Sequence, residues 1–269
     1  MKDLKDYKII DFHIHPFYTN YTNICQHIEN SNMSCQNTLT DLKKLGYYKA
    51  CGSVITGKNK NPSWEEVKEL NDEALKLQEL YDGFYIPGFH VHPSYVKESI
   101  EEVERMHKLG VKLVGELVPY LQGWSFATAG NNLYEILEAC DHYGMIIDFH
   151  SMSTDEEAIN KMDEMVARFK NMIFVGAHPD KGEMRKRAFD RMEKCDNYYL
   201  DWSGGGLIMN DALRYAIDLF GKERHVFGSD YPTCNPAMFV GGVALNYSLT
   251  EEEKEYVFYK NASRLLGIE

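Results

Sequence analysis

The chain has 269 residues and a formal net charge of −12, with 44% hydrophobic and 26% charged residues. This composition is typical of a soluble globular protein, and the acidic balance argues against sequence-independent binding of nucleic acid, which requires a basic surface. We predict a single domain over residues 1–269, since barrel folds of this length are commonly one domain.

The cysteines and the N-terminal residues give indications of the cellular compartment in which the protein is located. Cysteines stand at positions 25, 35, 51, 140, 195 and 234, and no two of them form a Cys-x-x-Cys pair. In a chain this long, reduced thiols are a simpler interpretation than a disulfide framework. The first residues lack the apolar stretch of a signal peptide, and no run approaches the roughly 20 apolar residues of a membrane helix. We therefore predict a cytoplasmic protein without a membrane partner.

Short apolar runs alternate with amphipathic segments along the chain. The apolar runs predict β-strands at 7–15, 48–56, 84–92, 111–118, 145–150, 172–178, 197–202 and 225–229. The segments between them predict helices, and one of these places five apolar residues on one stripe, namely Val67, Leu70, Ala74, Leu77 and Leu80. Eight strand–helix units in a chain of this length predict an α/β fold, a closed (β/α)₈ TIM barrel, with an open doubly wound sheet as the alternative.

Two stretches of the sequence show no clear periodicity of apolar residues. Residues 16–37 are polar, and residues 119–132 form a predicted long loop that contains Trp124 and Phe126. Loops on the catalytic face of a barrel usually shape the substrate pocket. A surface excursion that packs against a partner subunit explains them as well, so a homodimer stays open as the assembly.

The first predicted strand carries a His-x-His pair in the run "IIDFHIH". His13 and His15 are two residues apart, so both side chains point to the same side of the strand. Neutral imidazoles on one face can bind a single cation at about 2.0–2.1 Å. Asp11 shares this face, and we expect it to orient a histidine ring from behind. Two solvated histidines are the alternative, which the apolar surroundings disfavour.

Three more candidate residues follow later strands, where a parallel barrel places its catalytic groups. His150 ends "MIIDFH", His178 follows in "VGAHPD", and Asp230 ends "FGSDYP". We predict His150 as a metal ligand, although a lone histidine after an apolar strand is commonly a hydrogen-bonded core residue. His178 suits a ligand or a base. Asp230 can bind a metal and accept a proton from water.

Glu116 lies inside the apolar run "KLVGELVP", where a charged group is costly without a partner. It suits a ligand that bridges to a second metal ion, a group that binds substrate, or a buried carboxylate paired with a neighbouring lysine or arginine. These interpretations stay open from the sequence.

Other residues suit the lining of a substrate pocket. A second His-x-His pair in "GFHVHP" ends at His92, for which we predict a pocket-lining or supporting role rather than direct ligation. Tyr120, Trp124 and Trp202 are candidates for aromatic contacts with substrate. Gly204–Gly206 follow the seventh predicted strand and suit either an anion cradle or a tight turn.

Taken together, these motifs resemble the amidohydrolase superfamily, and most closely its amidohydrolase 2 branch of metal-dependent barrel hydrolases and non-oxidative decarboxylases. The resemblance spans nearly the whole chain and includes "DFHIH", "VHP", "DFH", "AHPD", "YLDWSG", "FGSDYP" and "KNASRLLGI". It implies one divalent ion, usually zinc, and a sixth-strand histidine, His178, that positions or activates water. The implied ligands are His13, His15, His150 and Asp230.

One motif departs from that branch. Glu116 in "VGELVPY" is similar to the strand-four glutamate of the binuclear metal-dependent deoxyribonucleases, which touches both metal ions. If Glu116 does the same, His150 and His178 belong to a second ion. The acidic chain argues against a DNA substrate.

These observations predict a metal-dependent hydrolase in which an activated water attacks the carbonyl of a small ester, lactone or amide. Asp230 would take the water proton and return it to the leaving group, and His178 would bind the water or the oxyanion. A decarboxylase of a small aromatic or unsaturated acid is the first alternative, and a phosphodiester hydrolase with two ions is another. A barrel that binds metal or metabolite without turnover is the non-enzymatic alternative.

Overall fold

Eight parallel β-strands form the centre of the molecule in the computed structural model, which describes residues 2–25 and 38–268. The strands are β1 Ile10–Ile14, β2 Lys49–Gly52, β3 Tyr85–Phe89, β4 Leu113–Leu117, β5 Ile146–His150, β6 Ile173–Ala177, β7 Tyr198–Asp201 and β8 His225–Val226. Neighbours in this order are hydrogen-bonded to each other. The predicted TIM barrel is confirmed, and each strand lies within its predicted run.

The first and last strands meet and close the ring. The Phe12 N–H donates to the Phe227 carbonyl at 2.8 Å, and the Asp230 N–H donates to the His13 carbonyl at 2.9 Å. His15 continues this contact with a bond to the Tyr231 carbonyl. The closure therefore sets Asp230 directly beside His13, although the two residues are far apart in sequence.

Helices cover the outside of the barrel. They are α1 Thr38–Lys44, α2 Trp64–Leu80, α3 Val96–Lys108, α4 Phe126–His142, α5 Glu156–Arg168, α6 Glu183–Lys194, α7 Ala212–Phe220, α8 Pro236–Ala244, α9 Glu251–Glu255 and α10 Asn261–Leu266. A capping box between Ser63 and Glu66 starts α2. Its predicted stripe is buried against the barrel except for Leu80, which is 58% exposed because it lies in the last turn.

The predicted loop at 119–132 is shorter than expected. Ser125 caps α4 through the Thr128 N–H, so the helix begins at Phe126, and the helical path is broken once at Gly130. Only residues 118–125 connect β4 to α4, and they include a 3₁₀ turn over Pro119–Leu121. Of the predicted irregular stretch 16–37, residues 26–37 lie outside the described residues.

Membrane-spanning helices and disulfide bonds are both absent from the described part of the chain. None of its helices combines the length and apolar character needed to cross a membrane. The five cysteines within it, Cys25, Cys51, Cys140, Cys195 and Cys234, form no disulfide.

Trp202 and His225 form a buried polar pair on the helix side of the barrel. The indole Nε1–H of Trp202 donates to His225 Nδ1 at 3.1 Å, and both residues are fully buried. Burial lowers the pKa of His225 to about 3. In the unfolded chain this imidazole takes up a proton below about 6.5, so its contribution to stability is present above that pH and is lost as the pH falls toward 3.

A His225→Gln variant tests this linkage. We expect the difference in unfolding free energy between wild type and variant to shrink as the pH falls from 7 to 5, with a slope of up to about 1.4 kcal/mol per pH unit. Urea unfolding at several pH values measures this difference. A pH-independent difference would contradict the assignment of a neutral, buried His225.

Candidate metal centre

The predicted metal-binding residues converge at the carboxyl ends of the strands, around a cavity of about 330 Å³. His13, Glu116 and His150 lie on β1, β4 and β5. His178 follows β6 directly, and Asp230 lies in the loop after β8. Apolar side chains form much of the remaining wall, namely Ile24, Ile55, Val118, Leu121 and Met152.

The first cluster joins His13, His15, Glu116 and Asp230. The Nε2 atoms of His13 and His15 are 3.1 Å apart, and each lies 3.2 Å from Glu116 Oε2. Asp230 Oδ1 lies 3.6 Å from His15 Nε2 and 3.9 Å from His13 Nε2. These are separations at which small movements bring all four atoms onto one cation.

The partners of the other ring nitrogens test whether a cation fits here. His13 Nδ1 lies 2.6 Å from Asp201 Oδ2, and His15 Nδ1 lies 3.1 Å from the Ser53 carbonyl. A carboxylate and a carbonyl only accept hydrogen bonds, so each Nδ1 carries a hydrogen and each neutral ring presents a lone pair at Nε2. Two such lone pairs facing a carboxylate oxygen form a donor set for a divalent cation.

The second oxygen of Glu116 faces the remaining two histidines. Oε1 lies 3.0 Å from His150 Nδ1 and 3.3 Å from His178 Nε2. Glu116 is thus the central residue of the site, and its buried carboxylate is paired with imidazoles. The sequence interpretation that paired it with a lysine or arginine is wrong.

The electrostatics of the cluster hold Glu116 in its charged form. Burial alone would raise the pKa of Glu116, but the facing rings of His13 and His178 lower it well below its usual range. Burial likewise disfavours charge on His13 and His178, yet the nearby carboxylates raise the pKa of both rings. Without a metal, protons on these rings offset the carboxylate charge, and a bound cation would take their place.

The two predicted catalytic residues have an unusual backbone. His178 and Asp230 both adopt the left-handed conformation with φ of 57°, which costs non-glycine residues about 1–3 kcal/mol. Gly204 lies against His178, where a Cβ would overlap the imidazole. The Gly204–Leu207 segment forms a 3₁₀ turn, and the close approach to His178 together with a φ of 49° accounts for the glycine at position 204.

Asp201 and Ser203 complete the site, although neither is among the residues predicted from the sequence. Asp201 holds His13 at 2.6 Å and also accepts a hydrogen bond from Ser203. The predicted role of Asp11 is wrong, because Asp11 instead accepts the backbone N–H groups of His13 and Ser229. A carboxylate at the carboxyl end of the seventh strand was the sequence signal that could have identified Asp201 as a site residue.

Of the predicted substrate-binding residues, only Tyr120 lines the cavity. The centroids of the Tyr120 and His150 rings are 5.3 Å apart. Both ring nitrogens of His92 are used within the protein, by the Gln122 carbonyl and the Ser94 N–H. Trp124 packs behind the same loop, with its Nε1–H donated to the Gln122 side chain. Trp202 is buried against His225. Substrate contact by His92, Trp124 and Trp202 is therefore not supported.

Comparisons with known proteins identify the family and the shared fold. The sequence profile of a family described as amidohydrolase matches residues 10–268. No curated protein sequence matches the chain.

Several solved structures share the fold. A 2,6-dihydroxybenzoate decarboxylase from Rhizobium has a TM-score of 0.75 at 13% identity, covering 97% of this chain and 99% of the other. A 5-carboxyvanillate decarboxylase from Novosphingobium aromaticivorans with bound manganese has a TM-score of 0.72 at 14% identity, covering 98% of both chains. An uncharacterized TIM-barrel protein from Bordetella bronchiseptica has a TM-score of 0.71 at 19% identity, covering 97% of this chain and 98% of the other.

The structural likeness shows a shared fold, and the profile match covers nearly the whole chain, including every residue of the cluster. The chain therefore belongs to the amidohydrolase family.

Proposed function

We propose that the protein is a metal-dependent hydrolase that directs an activated water at the carbonyl of a small ester, lactone or amide. The observation that carries this proposal is the convergence of the His13 and His15 lone pairs on Glu116, with Asp230 beside them. A divalent cation in this donor set supplies a Lewis acid and lowers the pKa of a bound water from roughly 15.7 to about 7.

Asp230 is suited to move the proton in this reaction. Its side chain is 17% exposed and lies at the cavity, whereas the histidines that it approaches are nearly fully buried. We assign Asp230 to accept the proton of the attacking water and to return it to the leaving group. His178 lies at the opposite side of Glu116, and we assign it to stabilise the oxygen that becomes negative.

The charge of the cavity favours a neutral substrate. Glu116 and Asp230 both face it, and its described lining contains no lysine or arginine. A bound divalent cation would balance the charges of Glu116 and Asp230, so a neutral carbonyl compound keeps the site balanced, whereas a free carboxylate would leave it with excess negative charge.

Decarboxylation is the second candidate, and the printed names of the similar structures favour it, since they include decarboxylases of dihydroxybenzoate and carboxyvanillate. In such a reaction the cation would bind the substrate carboxylate, and Tyr120 would supply an aromatic contact. The native ion is also open, because nitrogen and oxygen donors accept zinc, manganese, iron or cobalt.

Assays of the full chain distinguish these reactions. We expect protein loaded with Zn²⁺ or Mn²⁺ to hydrolyse members of a panel of neutral esters, lactones and amides. Chelation should lower this rate by at least about a thousandfold, and added metal should restore it. Release of CO₂ from phenolic acids, without hydrolysis, would establish the second candidate instead. Turnover that ignores the chelator would contradict both.

A further inference from the structure

A second cavity, of about 290 Å³, lies beside the cavity of the candidate metal centre, and we call it the side cavity. Its walls come from the segments after β1, β2 and β4 and from one face of α2. Leu121 lines both cavities, whereas of two consecutive residues Ile55 lines the first and Thr56 the second. The two cavities therefore share a wall, and none of the candidate metal ligands lines the side cavity.

An unpaired hydrogen-bond donor belongs to the wall of the side cavity. The Gln122 side chain is 2% exposed, and its Oε1 accepts the Trp124 Nε1–H at 3.3 Å. Because the indole nitrogen only donates, this bond fixes the orientation of the amide. The Gln122 Nε2 has no hydrogen-bond partner among the described residues. A buried amide group without a partner is costly, so a ligand that presents an acceptor oxygen to Nε2 removes this cost.

Carboxylates determine the charge of the side cavity, and its described lining contains no lysine or arginine. Three of them line it from α2, namely Glu66, Glu69 and Glu73. Hydrogen bonds from the Asn59 side chain and the Ser63 N–H lower the pKa of Glu66, which therefore contributes a negative charge. The lysines of the neighbouring segments are engaged elsewhere, since Lys58 donates to a backbone carbonyl and Lys76 lies over a tyrosine ring.

Glu69 and Glu73 are the carboxylates available to a ligand. Glu73 Oε1 accepts the Tyr18 N–H at 2.6 Å, which fixes the side chain, and no described residue pairs with its Oε2. Glu69 is exposed and forms no ion pair with a described residue. The two carboxylates lie one turn apart on α2, where like charges destabilise a helix. An ammonium group beside them would relieve this repulsion and form charge-assisted hydrogen bonds.

We propose that the side cavity binds a small organic amine in which a short apolar spacer separates an ammonium group from an acceptor oxygen. The ammonium group pairs with Glu69 and Glu73, and the oxygen accepts a hydrogen bond from Gln122 Nε2. Val67 and Leu70 line the same cavity and supply apolar surface for the spacer. This binding site goes beyond the proposed function and uses no metal ion.

Isothermal titration calorimetry of the full chain tests this site with linear amino alcohols from 3-amino-1-propanol to 5-amino-1-pentanol. These probes have no carbonyl group, so binding is measured without turnover. We expect one site per chain, and the tightest amino alcohol should bind at least about tenfold more tightly than the alkyl alcohol of the same length. It should also bind about 2–10-fold more tightly than the alkylamine, which lacks the acceptor oxygen.

Substitutions locate the binding site. Glu73→Gln keeps an oxygen for the Tyr18 N–H but removes the charge, so it should weaken amino alcohol binding about tenfold. Gln122→Met removes the amide donor and should lower the affinity to that of the alkylamine. Glu79→Gln, at an exposed position of α2 away from the cavity, is the matched control and should keep wild-type affinity. Thermal melting confirms that each variant is folded.

The outcomes separate this inference from the proposed function. Equal affinity for an amino alcohol and its alkyl alcohol overturns the recognition of an ammonium group. Wild-type affinity in the folded Glu73→Gln variant, or no binding of any probe, overturns the site itself. None of these results bears on metal-dependent hydrolysis, which the chelation assays test separately.

Discussion

Replacing Asp230 with asparagine should lower kcat by at least about a thousandfold while the barrel remains folded. The substitution keeps the shape of the side chain but removes its charge and its ability to accept a proton. Asp230 Oδ1 lies within 3.9 Å of both His13 Nε2 and His15 Nε2, so the variant loses a ligand charge as well. Steady-state kinetics with a substrate that the wild type turns over measure the effect, and metal analysis shows how much arises from weaker binding.

Asp211→Asn is a matched control for this variant. Asp211 also has a left-handed backbone, with φ of 60°, but it stands directly before α7 and does not line the cavity. Asparagine tolerates this conformation as well as aspartate does. We expect Asp211→Asn to keep wild-type kcat. If Asp230→Asn stayed within tenfold of wild type, the proton-transfer role of Asp230 would be wrong.

The second large effect, on stability and metal affinity, is expected at Gly228, which lies behind the candidate metal centre. A Cβ at this position would overlap the Asp201 carboxylate and approach His13 Cβ to 2.8 Å. Both neighbours are buried, and Asp201 orients the His13 ring. Gly228→Ala should therefore destabilise the fold by about 1–3 kcal/mol through overpacking and weaken metal affinity by roughly 10–100-fold.

Urea unfolding and metal titration measure these two effects. Gly241→Ala is the matched control, because a Cβ there meets nothing within 4 Å and the residue lies within α8. Alanine favours a helix over glycine, so this control should keep metal affinity and gain stability. Unchanged metal affinity in Gly228→Ala would show that the Asp201–His13 contact does not orient the ligand.

The barrel and the approximate place of the site are predictable from the sequence for a simple physical reason. Parallel strands buried on both faces form continuous apolar runs, and polar residues at their carboxyl ends must lie on one face of a closed ring. His13, His150, His178 and Asp230 all occupy such positions, and the structure brings them together.

The contacts within the site are harder to predict, because they depend on how distant strands are placed against each other. Asp201 and His13 are separated by 188 residues, and their hydrogen bond arises only when the ring closes. The central position of Glu116 likewise depends on four histidines from three other strands, so its several interpretations could not be separated from the sequence.

Trp202 and Trp124 do not line the cavity, and each has a local explanation. Side chains alternate between the two sides of a strand, so once Asp201 points into the barrel, Trp202 must point toward the helices. This agrees with its burial against His225. Trp124 was expected in a long loop, but the Ser125 cap starts α4 early and draws Trp124 into the packing around Phe126.

The central claim is that remote imidazoles share a divalent cation, and anomalous diffraction from crystals of metal-saturated protein tests it most directly. We predict an anomalous peak within coordinating distance of His13 Nε2, His15 Nε2 and Asp230 Oδ1. Crystals saturated with Zn²⁺ or Mn²⁺ that show no peak there, with the two imidazoles turned apart, would contradict the account.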